Sequence, residues 1–330
     1  MRNTQVINNS SIDNCLKRIA DLLLLNASFT DNPGLLNGKM GIAIFFYHYY
    51  RYSGCEIYNE FAGELLDQVY EEINTSTPAD FENGLTGIGW GIEYLVRNKF
   101  VDADTDEALA EVDNTLYRRR LHSPILIDSG DSVFGYGHYY LSRLKGHPID
   151  DNDLNTLIKK YHLIFLIDEC ERILLQKSYL KILNDPLSLD CLNSFMAFLL
   201  ESHRIKIYPS KTAKLLKVLP GIIKEEGIRD QGQGLKLTTD LLSQFASSSK
   251  TDSGFSIEMA IKDVWQRLIY GSLFNGKLTQ EVDAFNSHSI LKFEDELKTM
   301  FDKVNKNNLG LSGMAGLGMF LMWQRAKGRE

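Results

Sequence analysis

Carboxylate and amide side chains stand just ahead of glycines at repeated intervals along the chain. Glu82 and Asn83 precede Gly84, Asp128 and Ser129 precede Gly130, and Asp185 stands near the corresponding place in the next repeat. Side chains of these types accept hydrogen bonds from the free N–H groups that open a helix. Gathered on one rim, they would also make an acidic mouth able to hold a cationic peptide segment or a hard cation such as Mg²⁺. No spacing among them is that of a metal-binding motif, and no metal is expected from them. Asp131 and Asp190 are candidate acids, and His138 is a candidate base. His138 occupies a slot filled elsewhere by Phe46 and Ile92, so a packed core histidine is the plainer reading. Trp90 and Tyr136 both stand six residues after a leading glycine, where other copies have Ile44 and Met319. His48, Tyr94, Tyr140 and Trp323 recur ten residues after it. Such columns pack helical layers, and if they line a cavity they stack on a peptide or glycan. The candidate site is therefore Asp131, His138 and Asp190 for catalysis, with Glu82, Asn83, Trp90, Asp128, Tyr136 and Asp185 lining a ligand cavity.

A periodic framework must position these residues. Gly38, Gly84 and Gly130 follow one another at 46-residue steps, and Gly313 lies close to six such steps beyond Gly38. Each opens an apolar or aromatic run: Gly38-Lys39-Met40-Gly41, Gly84-Leu85-Thr86-Gly87, Gly130-Asp131-Ser132-Val133 and Gly313-Met314-Ala315-Gly316. A fixed period of this length is the signature of a repeat architecture. Within a repeat, an amphipathic helix comes first. Ile12, Cys15, Leu16, Ile19, Leu22 and Leu23 fall on one stripe, as do Phe61, Leu65, Val69 and Ile73. The second helix is apolar nearly all round, as in Ile42 to Tyr50, Ile88 to Val96 and Leu317 to Trp323, and such a helix is buried on most of its circumference. The alternation predicts two layers, an outer ring of one-sided helices and an inner ring of buried ones.

Punctuation agrees with this division. Pro33, Pro78 and Pro124 fall five or six residues before the leading glycines, where a helix has already stopped. Pro148 and Pro209 mark the starts of later outer helices. No strand pattern of convincing length survives. The expected fold is all-α, an α/α toroid of about seven helical hairpins in one domain over residues 1–330, with 1–9 a loose N-terminal tail. Closure into a ring is expected because the last unit is as apolar as the middle ones, whereas an open solenoid ends in polar caps. Gly84, Gly87, Gly89 and Gly91 crowd one helix start, and each glycine inside a helix costs about 1 kcal/mol relative to alanine. Close backbone approach at a crowded inner rim would explain them, as would free helix N-termini turned towards an anion or peptide backbone.

Composition narrows the function classes. A net charge of −7 argues against a nucleic-acid partner, which calls for a basic face. Nothing approaches the roughly 18 consecutive apolar residues of a membrane span, and no signal peptide is visible. Cys15, Cys55, Cys170 and Cys191 show neither paired nor metal-ligand spacing, so reduced thiols and a cytoplasmic location are expected.

Glycine pairs of the form Gly-x-x-Gly opening buried helices in a series of hairpins resemble the lanthionine synthetase C-like family. Gly38-Lys39-Met40-Gly41, Gly84-Leu85-Thr86-Gly87 and Leu311-Ser312-Gly313-Met314-Ala315-Gly316-Leu317 carry the likeness. The resemblance implies a toroid of seven inner and seven outer helices. It also implies a cyclase that adds peptide cysteine thiols to dehydrated residues, with zinc on two cysteines and a histidine. Zinc matters because a free thiol is only about 3% thiolate at pH 7. This chain departs from the pattern where those ligands belong. No cysteine follows Cys191, and Gly232 and Gln233 stand where the fifth unit would carry its ligand.

The leading expectation is a zinc-free, degenerate cyclase that binds a precursor or modified peptide during lanthipeptide-type maturation, with no cofactor. A peptide-modifying enzyme is a further candidate partner. Two alternatives stand beside it. One is a carbohydrate-active α/α-barrel enzyme using paired carboxylates. The other is an atypical thioether-forming cyclase with ligands from a partner.

Overall fold

The computed structural model describes residues 9–122, 133–145, 150, 152–175, 198–225 and 309–327. Among them every regular element is helical, and no strand occurs. The chain divides into two compact units, residues 1–91 with 266–330, and residues 92–265, the division falling inside one helix.

In the first unit, α1 (Asn9–Asn26) lays Ile12, Cys15, Leu16, Ile19 and Leu23 against the core and leaves Lys17, Arg18 and Asp21 in water. Leu22 lies at the margin of the stripe. A short 3₁₀ turn, Ala27–Phe29, leads towards α2 (Lys39–Ser53), in which residues 39–47 are all buried. α2 stops at Gly54, whose φ of 71° takes the left-handed conformation that lets its N–H reach the Tyr50 carbonyl at 2.8 Å. α3 (Ile57–Glu72) packs antiparallel to α2 through Ala62, Leu65, Leu66 and Val69, with Glu60, Glu64, Asp67 and Glu71 exposed opposite. One-sided and fully buried helices therefore alternate here as the sequence predicts. α4 (Leu85–Arg97) opens the next buried helix.

In the second unit, α5 (Thr105–Ala108) starts on Asp104, whose carboxylate accepts the N–H groups of Asp106 and Glu107. α6 (Ala110–His122) follows, and α7 (Val133–Lys145) is buried without a break from residue 135 to 144. α7 packs on α8 (Leu154–Leu175), and α8 on α9 (Pro209–Glu225). α9 begins at Pro209, in the first-turn role proline favours. α8 departs from the expected one-sided outer helix, because it is apolar on both its buried and its exposed sides.

The last described helix, α10 (Met314–Lys327), returns to the first unit and packs on α1 and α2. Lys39 belongs to this core too. Its ammonium group is buried at the start of α2 and is neutralised by Glu72 at the end of α3.

Candidate functional site

Three glycine turns meet in the first unit. The turn before α2 is braced by Asn32, whose side-chain oxygen accepts Gly34 N–H at 2.8 Å while its carbonyl accepts Lys39 N–H at 2.8 Å. The turn before α4 repeats the second contact, with Leu85 N–H donating to the Pro78 carbonyl at 2.8 Å. There Asp80 supplies the side-chain acceptor, taking Asn83 N–H at 2.7 Å. Before α10, Ala315 N–H donates to the Leu309 carbonyl at 3.0 Å. At least one first-turn N–H group of each of these helices is thus satisfied by its own turn.

The turns also bond to each other in one recurring way. Leu36 N–H donates to the Glu82 carbonyl at 2.8 Å, and Ser312 N–H donates to the Leu36 carbonyl at 2.7 Å. Residues just ahead of the glycines extend the chain of contacts. Asn83 Oδ1 accepts the side-chain amides of Asn32 at 2.7 Å and Asn37 at 3.0 Å. Asn37 Oδ1 in turn accepts the Ser312 hydroxyl. The last described repeat sits on the first as the first sits on the second.

Close approach is what demands glycine here, not an unusual φ. A Cβ on Gly41 would overlap the Leu35 carbonyl oxygen and lie 2.9 Å from Leu311 N. A Cβ on Gly87 would overlap the Phe81 carbonyl oxygen and lie 3.1 Å from Leu35 Cβ. In both cases the second glycine of the pair receives the apolar turn residue of the neighbouring repeat.

Of the expected cavity residues, Asn83 is the centre of this lattice and Glu82 contributes its carbonyl to it. Glu82 is an exposed residue, yet protein crowds its carboxyl. Burial first, and the charge of Asp80 second, push its carboxyl up from the ordinary range. Trp90 is half-buried and meets Phe81 edge-on at 6.0 Å. These three expected residues share the second turn and its helix. Tyr136 and His138 lie in the second unit, both buried within α7. Asp128, Asp131, Asp185 and Asp190 lie outside the described residues. Tyr140, from the ten-after column, packs between α7 and α8, its ring stacked on His162 of α8 at 4.3 Å and 5°.

The second unit holds a charged cluster that the motif reading passed over. Arg143 of α7 is 1% exposed and donates to Glu93 at 2.5 Å, Thr105 at 3.1 Å, Asp106 at 2.7 Å and Asp113 at 2.9 Å. Lys159 of α8 joins Asp106 at 2.5 Å, and Tyr139 donates to Asp113 at 2.7 Å. Burial opposes the guanidinium charge, but Tyr139, Asp113 and Glu93 outweigh it and raise its pKa. One signal pointed here: Glu93 and Arg143 interrupt helices that are otherwise apolar all round. The cluster is saturated with internal partners and ties α4, α5, α6, α7 and α8 together.

Zinc does not fit the described residues. No group of three or more His, Cys, Asp or Glu side chains among them could hold a metal ion. Cys15 and Cys170 are buried apart from any such group, and Cys55 is exposed. The burial of Cys170 raises its thiol pKa, the reverse of what a thiolate ligand needs. No described helix is long and apolar enough to cross a membrane. No protein-family model, no curated protein and no solved structure matches this chain.

Proposed function

We propose that this chain is a degenerate lanthionine synthetase C-like protein, an α/α toroid of helical hairpins that binds a precursor or modified peptide in the cytoplasm without zinc. The observation that carries the reading is the repeated bond between turns. Leu36 to Glu82 and Ser312 to Leu36 make the last described repeat a neighbour of the first, which is the adjacency a closed ring requires. Gly-x-x-Gly steps that admit a neighbouring turn residue, Leu311 at Gly41 and Leu35 at Gly87, support the same architecture. The ligand would lie over the second turn, where Glu82 and Trp90 offer a carboxylate and an aromatic face to a cationic, partly apolar segment. A peptide-modifying enzyme is the partner that would deliver it.

The test is equilibrium binding of the purified chain to peptides encoded beside its own gene, followed by fluorescence anisotropy. Binding that weakens in Glu82→Gln and Trp90→Ala supports the proposal, and no binding to any of them sinks it. Metal analysis of the same sample is a second arm. Stoichiometric zinc would restore the atypical thioether-forming cyclase in its place.

One observation favours a second reading. A carboxyl held up by burial and by a neighbouring carboxylate is what a general acid in glycan cleavage requires, and Glu82 beside Asp80 has that environment. Sugar release from a glycan panel, lost in Glu82→Gln, would decide for it.

A further inference from the structure

α8 carries the largest apolar face left in water among the described helices. Leu154, Leu157, Ile158, Tyr161 and Ile164 are 68%, 45%, 44%, 59% and 37% exposed. Their spacing of i, i+3, i+4, i+7 and i+10 puts them on one stripe, opposite the buried Leu163, Leu166, Ile167 and Cys170. α3 shows the ordinary alternative, with carboxylates on its outer side. Scattered exposed apolar residues need no explanation, but a continuous stripe marks an interaction surface. At 1.5 Å per residue this one runs for about 15 Å, some three helical turns.

The charge beside the stripe says what kind of partner fits. Arg120 of α6 reaches across it, its guanidinium carbon 4.5 Å from the Phe165 ring centroid and 5.8 Å from that of Tyr161. Its Nη1 is buried without a hydrogen-bond partner, and no ion pair holds the group among the described residues. The carboxylates further along α8 are already taken: Asp168 and Glu171 by Lys211, each at 2.6 Å, and Glu169 by Arg172 at 2.7 Å. The uncompensated charge at this surface is therefore positive, on a chain whose net charge is −7. A carboxylate is the group that would complete it.

We propose that the exposed face of α8, edged by Arg120, docks an amphipathic helix of another protein whose apolar side is flanked by a carboxylate. A stripe at helical spacing is read by a second helix through ridges and grooves. A membrane surface suits it less, because lipid-binding helices carry a polar face rich in Lys and Arg, and Lys159 of α8 is held by Asp106. A second copy suits it less too. In a symmetric pair the carboxylates within α8 that could meet Arg120 are already paired, and Asp153 at its start is engaged in capping the helix through the Thr156 N–H. This surface is independent of the turn site in the first unit.

The test uses the full chain and a fluorescent synthetic helix of Leu, Ala and Glu, roughly 20 residues long so that it is helical in solution. Its control is an analogue with Gln for every Glu. The Glu peptide is expected to bind at least about tenfold more tightly than the Gln peptide. Leu157→Ser with Ile158→Ser abolishes binding without lowering the melting temperature, and Arg120→Gln removes the preference for Glu. Equal binding of the two peptides by the unaltered chain overturns the proposal. So does a fall in melting temperature in the double serine variant, which would mean that the chain covers its own stripe. A dimer lost in that variant, or competition by phosphatidylserine vesicles as strong as by peptide, would reassign the surface to a second copy or to a membrane.

Discussion

Ser312 and Asn37, 275 positions apart in the chain, are joined side chain to side chain, and Asn37 in turn donates to Asn83 at 3.0 Å. The residue ahead of the glycine in each of three repeats thus contributes one link to a single polar chain. Asn83 carries the most, because its one side-chain oxygen serves both Asn32 and Asn37. Asn83→Ala is expected to destabilise the protein by about 1–3 kcal/mol, since two part-buried amides lose their acceptor together. Asn83→Asp keeps the acceptor and should lose much less. Urea unfolding of both variants measures the difference, and equal losses would show that the lattice is incidental.

Glycines in this chain fall into two kinds, and substitution separates them. At Gly87 a Cβ would collide with the Phe81 carbonyl oxygen, which is backbone and cannot step aside. Gly87→Ala should therefore cost more than about 2 kcal/mol, in the range of overpacked cores. Gly63, within α3, has only the Tyr47 hydroxyl at 3.9 Å from the same added atom. There alanine relieves the helix penalty of glycine and should stabilise by up to about 1 kcal/mol. Thermal unfolding of the two variants should move in opposite directions.

Much of this framework was legible in the residues. The glycine period located the starts of α2, α4 and α10, and the contrast between one-sided and all-round helices assigned burial to α1, α2 and α3. Pro209 marked the first residue of α9. The contacts that make Asn83 a staple were not legible, because an amide before a glycine reads equally as a cap, a ligand or a link until the neighbouring turn is in place. Arg143 was missed for a related reason. Its partners come from three other helices, at separations such as 50 residues to Glu93 and 30 to Asp113, and no local pattern announces them. His162 sits inside an apolar run, and its burial and its stacking on Tyr140 emerge only in the fold. Asp131 and Asp190 rested on motif position alone and lie outside the described residues.

The Arg143 cluster makes a directional prediction. Arg143→Met leaves the buried Glu93 charged and unsolvated and should cost about 3–5 kcal/mol, whereas Glu93→Leu leaves Arg143 with Asp106 and Asp113 and should cost less. The two changes together should cost clearly less than their sum, because neither then strands the charge of the other. Asp106 keeps Lys159 in either case, while Asp113 loses Arg143, so recovery in the double variant is partial. A double-mutant cycle in urea measures the coupling, and strict additivity would mean that the contact between Glu93 and Arg143 carries little energy.

His162 gives the cluster's neighbourhood a dependence on acidity. Burial, and then the charge of Arg120, lower its pKa from the ordinary 6.5 to about 3. The folded state therefore keeps this imidazole neutral at acidities where the unfolded chain protonates it. Between the two values the unfolded state binds more protons, so stability falls as pH drops from about 6.5 towards 3. The contribution reaches at most about 1.4 kcal/mol per pH unit. Substituting His162→Phe keeps an aromatic ring against Tyr140 and removes the titrating group. The variant should lose stability more gradually on acidification than the unaltered chain, and the two should differ little in slope above about pH 7. Unfolding free energies at about pH 7, 5 and 4 provide the comparison. Parallel curves across that range would mean that His162 titrates alike in the folded and unfolded chain, and that its packing against Tyr140 does not keep it neutral.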